Sequence, residues 1–571
     1  MDAEFDRELA EALAAHRAGD LEGAAVAYEM LLERWPDHAG VIQLLGLTRQ
    51  GAGDFAGAEA LILQALSLSD QALFRGNLAF LYHQWGKPEA AEEAYLAALA
   101  QAPDMAEFVR NYACLLRDQG RFDEALAGFE RLTELRPEDG AAQADRALML
   151  ERLGRYAEAE AAYRLALERD PACLPAAVNL GALLVHEVRN GEAEAVFRQA
   201  TASAPASVEA LCNLGLSLFN QARLGEAEPC YRRALEIRPG DARTSLNLGL
   251  LLLHQQRFAE AWPWFEARHA VMGTVWSPAP APDASPWRGD PLAGRSILVF
   301  GEQGFGDQIQ FLRFAQKLRA AGAGRVIVAV APELESLVAG ASGIDEVLTF
   351  ASPGPIAAEL WAPMMSLPGL MGLTPETVAG FAPPAWPQFK VQAPRRIRDL
   401  GAPYEVGIFW AGRAWADRGD LRRVDSLRSL EFDEARALMA TPALRERVRW
   451  TILQRDRRPE GLADLARARG WRDPFSGKEP GPPPQDFADV ARIMTRLDLV
   501  IGVDSAFIHL AAALARPTWM MDRTFHCWRW VGAGEATPWY PTLRIFRQTR
   551  EGDWAGVIDR IAARLAARGP H

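Results

Sequence analysis

The chain has 571 residues, of which 49% are hydrophobic and 24% charged, enough for about three to four domains with cores of their own. A formal net charge of −12 argues against broad nucleic-acid or anionic-membrane binding, and the five scattered cysteines show no metal-ligand spacing. No basic-then-apolar run follows the N-terminal Met-Asp-Ala-Glu-Phe-Asp, and the longest apolar stretch, around Leu248–Leu253, is too short for a bilayer, so the expectation is a cytoplasmic protein without membrane insertion.

From the N-terminus, one pattern recurs every 33 or 34 residues. An alanine stands at Ala24, Ala58, Ala91, Ala125, Ala159, Ala193, Ala227 and Ala261. Four residues later comes Tyr28, Ile62, Tyr95, Phe129, Tyr163, Phe197, Tyr231 or Phe265. Prolines close most units, at Pro36, Pro103, Pro137, Pro171, Pro205 and Pro239. A small residue that lets two helices approach, with a large one filling the groove, is the mark of a helix–turn–helix unit. The pattern resembles the tetratricopeptide repeat (TPR). The resemblance implies a superhelix over residues 1–271, about seven and a half repeats, whose inner surface binds a polypeptide. The glycine that opens the turn (Gly19, Gly53, Gly86, Gly120, Gly154) becomes Val188, Ala222 and Gln256 in later units.

The first helix of each unit carries a second row: Leu44, Asn77, Asn111, Asp145, Asn179, Asn213 and Asn247. Asn is a mediocre helix former, about half a kcal/mol worse than Ala, so five copies at one position imply an offsetting benefit. Its amide offers both donor and acceptor and can clasp a peptide backbone without reading side chains. Asn77, Asn111, Asn179, Asn213 and Asn247 are therefore the expected acceptor-binding residues. The row resembles the asparagines lining the groove of eukaryotic O-linked N-acetylglucosamine transferase. The plainer alternative is a consensus residue making local hydrogen bonds.

At Met272 the period stops, and Ser277-Pro-Ala-Pro-Ala-Pro-Asp-Ala-Ser-Pro reads as a semi-rigid linker within 272–295. Beyond it, apolar runs at Ser296–Phe300, Val326–Val330, Val406–Trp410, Val448–Leu453 and Leu497–Val503 read as buried strands. Helical patterns such as Pro442–Arg447 and Asp486–Leu497 lie between them. Strand–helix alternation predicts an α/β region of parallel sheets covered on both faces. A proline-rich patch at Phe381–Pro387 splits it into two Rossmann-like lobes, 296–395 and 396–571.

Three motifs sit where strands end. Gly301-Glu-Gln-Gly304-Phe-Gly306-Asp307-Gln308 lacks the dinucleotide spacing, and its informative member is Asp307, placed where the loop becomes a helix. An acid there suits the helix dipole and is available as a base. In Val503-Asp504-Ser505-Ala-Phe-Ile-His509, Asp504 or Ser505 caps a helix whose N-terminus is a ready phosphate site, with His509 one turn on. Trp410-Ala-Gly412-Arg413 follows a third strand, and Gln454 ends a fourth. The aromatic string Cys527-Trp-Arg-Trp530, with Thr537-Pro-Trp-Tyr-Pro541, fits a packed lobe edge.

Together with Arg428-Ser-Leu430, these motifs resemble bacterial TPR proteins with a C-terminal glycosyltransferase lobe pair of the GT-B fold, related to the lipopolysaccharide heptosyltransferases. The resemblance implies Asp307 as the catalytic acid residue and a donor site drawn from Gly304, Gly306, Arg413, Gln454, Asp504, Ser505 and His509. Among proteins of this whole architecture the resemblance runs to alphaproteobacterial flagellin glycosyltransferases. It implies flagellin as protein acceptor and a pseudaminic-type sugar carried by CMP. Arg413 stands where that pattern usually has Asn. No cofactor beyond the nucleotide sugar and no metal are expected, since no Asp-x-Asp triplet occurs. Two rivals remain: a scaffold with non-catalytic nucleotide-binding lobes, and a glycan- or lipid-directed transferase.

Overall fold

The computed structural model describes residues 3–274, 279–381, 383, 386–389, 403–412, 427–479, 482–531 and 534–568. The chain forms two compact units, Met1–Asn213 and Leu214–His571, so the last repeats belong to the same body as the α/β lobes.

The first unit is made of helical hairpins, beginning with Ala3–Arg17 against Leu21–Arg34 and Ala39–Gly51 against Phe55–Leu68. Tyr28, Ile62, Tyr95, Phe129, Tyr163 and Phe197 are all fully buried, as the spacing predicts. The facing small residues have a steric reason. A Cβ on Gly181 would lie 2.4 Å from the Phe197 ring, and one on Gly46 2.9 Å from Ile62. Aspartates cap several helices, with Asp20 accepting from Gly23 N and Asp54 from Gly57 N, both at 2.9 Å. The turn into each second helix is left-handed throughout. Gly120 and Gly154 have φ of 76° and 75°, and Val188, without glycine's freedom, still takes 64°.

In the second unit, two five-stranded parallel sheets follow the last repeats. The N-lobe sheet has β1 (Ser285–Pro286), β2 (Ser296–Phe300), β3 (Arg325–Val330), β4 (Glu346–Thr349) and β5 (Leu360–Pro363), in the order β1-β5-β2-β3-β4. The C-lobe sheet has β6 (Tyr404–Ile408), β7 (Val448–Ile452), β8 (Leu499–Val503), β9 (Thr518–Asp522) and β10 (Leu543–Arg547), in the order β10-β9-β8-β6-β7. β8 and β9 are buried at every position, which is why such strands read as unbroken apolar runs.

Two expectations differ from the structure. The described part of the proline-rich stretch does more than link, since it adds to the N-lobe sheet. Pro280 bridges to Ile356, and β1 pairs with β5, Ser285 opposite Leu360. Pro442–Arg447 is not a helix. Only Pro442–Leu444 makes a 3₁₀ turn, and the helix lies earlier, at Phe432–Met439, because the residue before a proline resists the helical conformation.

Candidate functional site between the lobes

Each sheet has one place where the chain reverses its direction of growth, and crevices at the carboxyl ends of strands form there. In the N-lobe this is between β2 and β5, and the loop Gly301–Gly304 leaves β2 at that point. In the C-lobe it is between β6 and β8, where Trp410–Gly412 and the Asp504–Ser505 turn emerge. Three of the sequence motifs thus leave strands at the two switch points.

The helices that begin there meet. Gly306 lies in the first turn of Phe305–Leu318, and a Cβ on it would fall 2.8 Å from His509 Cδ2 and 3.4 Å from Ala506 Cα. Glycine is therefore what lets this helix approach Ala506–Ala513, a packing reason distinct from the expected donor contact. Two positive helix ends converge, and Ser505, the N-cap of the second, makes no side-chain capping bond.

Asp307 is the third residue of its helix, not the cap, since the helix starts at Phe305 and Gly304 holds the N-cap position. One carboxylate oxygen accepts from Gly304 N at 3.1 Å, and the other is ion-paired with the Arg529 guanidinium of the C-lobe. The Asp307 side chain is 21% exposed and that of Arg529 10%. Arg529 also donates to Cys527 Sγ and lies over the Trp528 ring, while its Nε has no hydrogen-bond partner among the described residues.

His509 is enclosed. Its Nδ1 lies 3.1 Å from the Tyr540 hydroxyl and its ring 5.2 Å from Trp530, while Nε2 is 3.9 Å from Asp504. Burial pushes it down to about 3, opposed by Asp504 and reinforced by Arg529 and Arg313, so the imidazole is neutral at pH 7. The neutral ring bonds Tyr540 through Nδ1 and packs on Trp530. Gln454 is engaged as well. Its Oε1 accepts from Trp410 N and Ala411 N at 2.9 and 3.0 Å, and its Nε2 donates to Ala411 O and Asp456 O. The amide braces the loop after β6. Arg413 and the arginines at 418–423 lie outside the described residues.

Sequence reading missed three polar features. Asp522 ends β9 beside Asp504, since Val503 pairs with Met521. Burial pushes its carboxyl up to about 7, helped by Asp504 and opposed by Arg547 and Arg523. Arg313 is buried and donates to Trp539 O at 2.7 Å, tying the two lobes together. Arg268, from just after the last repeat, grips Glu302 of the glycine-rich loop through two bonds of 3.1 Å and also donates to Glu266 and Ser366. Burial would raise Glu266, but His269, Arg268 and Ser366 outweigh it and hold it at about 2. A cavity of about 780 Å³ opens beside this network, lined by Trp262, Glu266, Trp287, Arg288 and Trp361 among others, and neither Asp307 nor Arg529 lines it.

Asn77, Asn111, Asn179, Asn213 and Asn247 all sit half-buried in the first helix of their hairpins. Asn179 shares a hydrogen bond with the Tyr163 hydroxyl, so at least one rung also makes a local bond.

Tetratricopeptide-repeat families match residues 74–105, 111–172, 189–242 and 212–269. Glycosyltransferase family 9 (heptosyltransferase) matches residues 482–519, which take in β8, the Asp504–Ser505 turn and the helix Ala506–Ala513. Protein FlbA of Caulobacter vibrioides is 38% identical over 80 residues, 14% of this chain and only 13% of that protein's length. Among solved structures, a tetratricopeptide repeat protein from Parabacteroides merdae is 17% identical, covers 44% of this chain and 100% of its own, and has a TM-score of 0.36. Yeast Tom70 is 17% identical, with 48% of this chain and 61% of its own covered and a TM-score of 0.37. The chain thus carries tetratricopeptide repeats, and its α/β part carries a segment similar to glycosyltransferase family 9, which supports glycosyl transfer.

Proposed function

We propose that this protein is a protein O-glycosyltransferase. The repeats hold a polypeptide acceptor, and the lobes move a sugar from a nucleotide donor to a Ser or Thr hydroxyl. Flagellin as acceptor and a CMP-carried nonulosonic sugar as donor follow from the motif resemblance. The observation that carries the reading is the convergence of two helix N-termini on Asp307 and Asp504 at the strand ends of both lobes. Oriented N–H groups there suit a donor phosphate. In the reaction the acceptor oxygen bonds to the anomeric carbon while the bond from that carbon to the phosphate oxygen breaks. The hydroxyl proton passes to Asp307, and the phosphate leaves with the electron pair. A base so placed contributes about 10²–10⁴-fold. Dipoles aimed at the departing phosphate stabilise its growing charge.

The test is intact mass analysis of flagellin made with and without this protein. Addition of sugar is expected with the wild type and not with Asp307→Asn; flagellin of unchanged mass in the presence of wild type and donor would remove the reading. Replacing Asn179, Asn213 and Asn247 together by Ala should weaken flagellin binding about tenfold or more. Unchanged binding would favour a glycan- or lipid-directed transferase. One observation favours the scaffold alternative: both oxygens of Asp307 are already engaged.

A further inference from the structure

That engagement has a use. Arg529 is a cation enclosed between Phe311, Trp528 and Cys527; it is ion-paired with Asp307 of the opposite lobe, and Asp504 of its own lobe adds a weaker attraction. Its fork still has an Nε without a partner among the described residues. Both groups lie where two helix N-termini converge, so Asp307 itself is the anion that occupies a region built for negative charge. A guanidinium suits phosphate as well as carboxylate, and a phosphate brings more charge and more acceptor oxygens.

We propose that Arg529 is a phosphate-binding latch: with the site empty it neutralises Asp307, and with a nucleotide bound it turns to the phosphate and leaves the carboxylate free to act. The ligand class is a phosphate-bearing nucleotide. The inference rests on the transferase reading for what the freed carboxylate then does, but not for the binding itself. It gives Asp307 a resting partner and a trigger. The base becomes available only when a donor is seated, so water is not activated in an empty site.

The latch makes a counter-intuitive prediction about affinity. While Arg529 is committed to Asp307, nucleotide binding must first break that pair, and the apparent affinity is reduced by the fraction so committed. Binding of CMP, UDP and ADP to the full chain is measured by calorimetry for wild type, Asp307→Asn, Arg529→Gln and the double variant. The nucleotide that binds best should bind Asp307→Asn about tenfold more tightly than wild type, and Arg529→Gln about tenfold more weakly. The double variant should match Arg529→Gln. Simple removal of a repelling carboxylate would instead raise affinity equally with and without Arg529. A gain that survives in the Arg529→Gln background, or no gain in Asp307→Asn, overturns the latch, as does absence of binding of all three nucleotides. Where Arg529→Gln melts early, Arg529→Lys replaces it, keeping the charge and losing the fork. The two readings separate cleanly: sugar addition to flagellin without a gain in Asp307→Asn removes the latch alone. A gain without sugar addition removes the transferase reading and keeps the nucleotide site.

Discussion

The repeats and the α/β lobes handle charge in opposite ways. In the first unit, ion pairs such as Arg121–Glu92 and Arg189–Glu160 lie at the surface, and the interior is an apolar motif copied from unit to unit. In the second, Arg268 and Glu302 are paired with side chains only 1% and 4% exposed, and Arg313, Arg529 and Asp522 are buried as well. Surface pairs contribute little each, and a repeated core spreads stability over many nearest-neighbour contacts. A buried charge cannot be diluted in this way. Each one is costly to leave alone and therefore fixes the position of its partner. The repeats are built to be extended and substituted; the lobes are built to hold a few groups in place.

The sharpest way to break this contrast is Arg268→Ala. It leaves Glu302 buried without its cation and should cost about 3–5 kcal/mol in denaturant unfolding of the Leu214–His571 unit. Arg268→Met with Glu302→Gln should recover much of that loss. A cost below about 1 kcal/mol would mean the network is not what holds the loop.

Asp522 is the next test. Its folded-state carboxyl is held at about 7 against a reference of 3.8, so the neutral form is favoured on folding. Its contribution is fully present below about pH 4 and is lost as the pH rises through about 7. Asp522→Asn, neutral throughout, should flatten that fall and gain on the order of 1–3 kcal/mol at pH 8. Equal slopes of stability against pH for the two proteins would contradict this.

In the repeats the effects should be smaller. Gly181→Val drives a Cβ to within 2.4 Å of the Phe197 ring and should cost about 1–2 kcal/mol, read by hydrogen exchange in the helices Leu174–His186 and Asn190–Ser203 and little elsewhere. Val188→Gly relieves a branched residue at φ 64° and should stabilise by about 0.5–1 kcal/mol in thermal melting. A loss of stability there would show that the Val188 side chain contributes more than its backbone costs.

The helical hairpins were legible because their information is local. Ala24 with Tyr28, or Ala193 with Phe197, specify helix contacts within one unit, and the period repeats the message. Strands β2, β7 and β8 announced themselves as apolar runs closed by glycine, glutamine or aspartate, and β3 as an apolar run ended by Ala331-Pro332. β4 (Glu346–Thr349) did not, since all four of its residues are only half-buried, and β10 alternates Arg with apolar residues in a way that periodicity alone does not mark as buried. The strand–turn–helix grammar also put Asp307 at the start of the helix after β2 and Asp504 at the end of β8.

What pairs with them was not readable. Arg529 lies 222 residues from Asp307, inside a string that looks like aromatic packing, and Arg268 reaches Glu302 from the end of a repeat. Nor was it readable that Gln454 bonds the backbone of Trp410 and Ala411, or that His509 bonds Tyr540. Residue type and spacing decide which backbone forms and what chemistry is on hand. Which of those groups is free to do chemistry depends on what the other lobe brings within about 3 Å, and burial, charge pairing and competition for the last lone pair are properties of the folded chain alone.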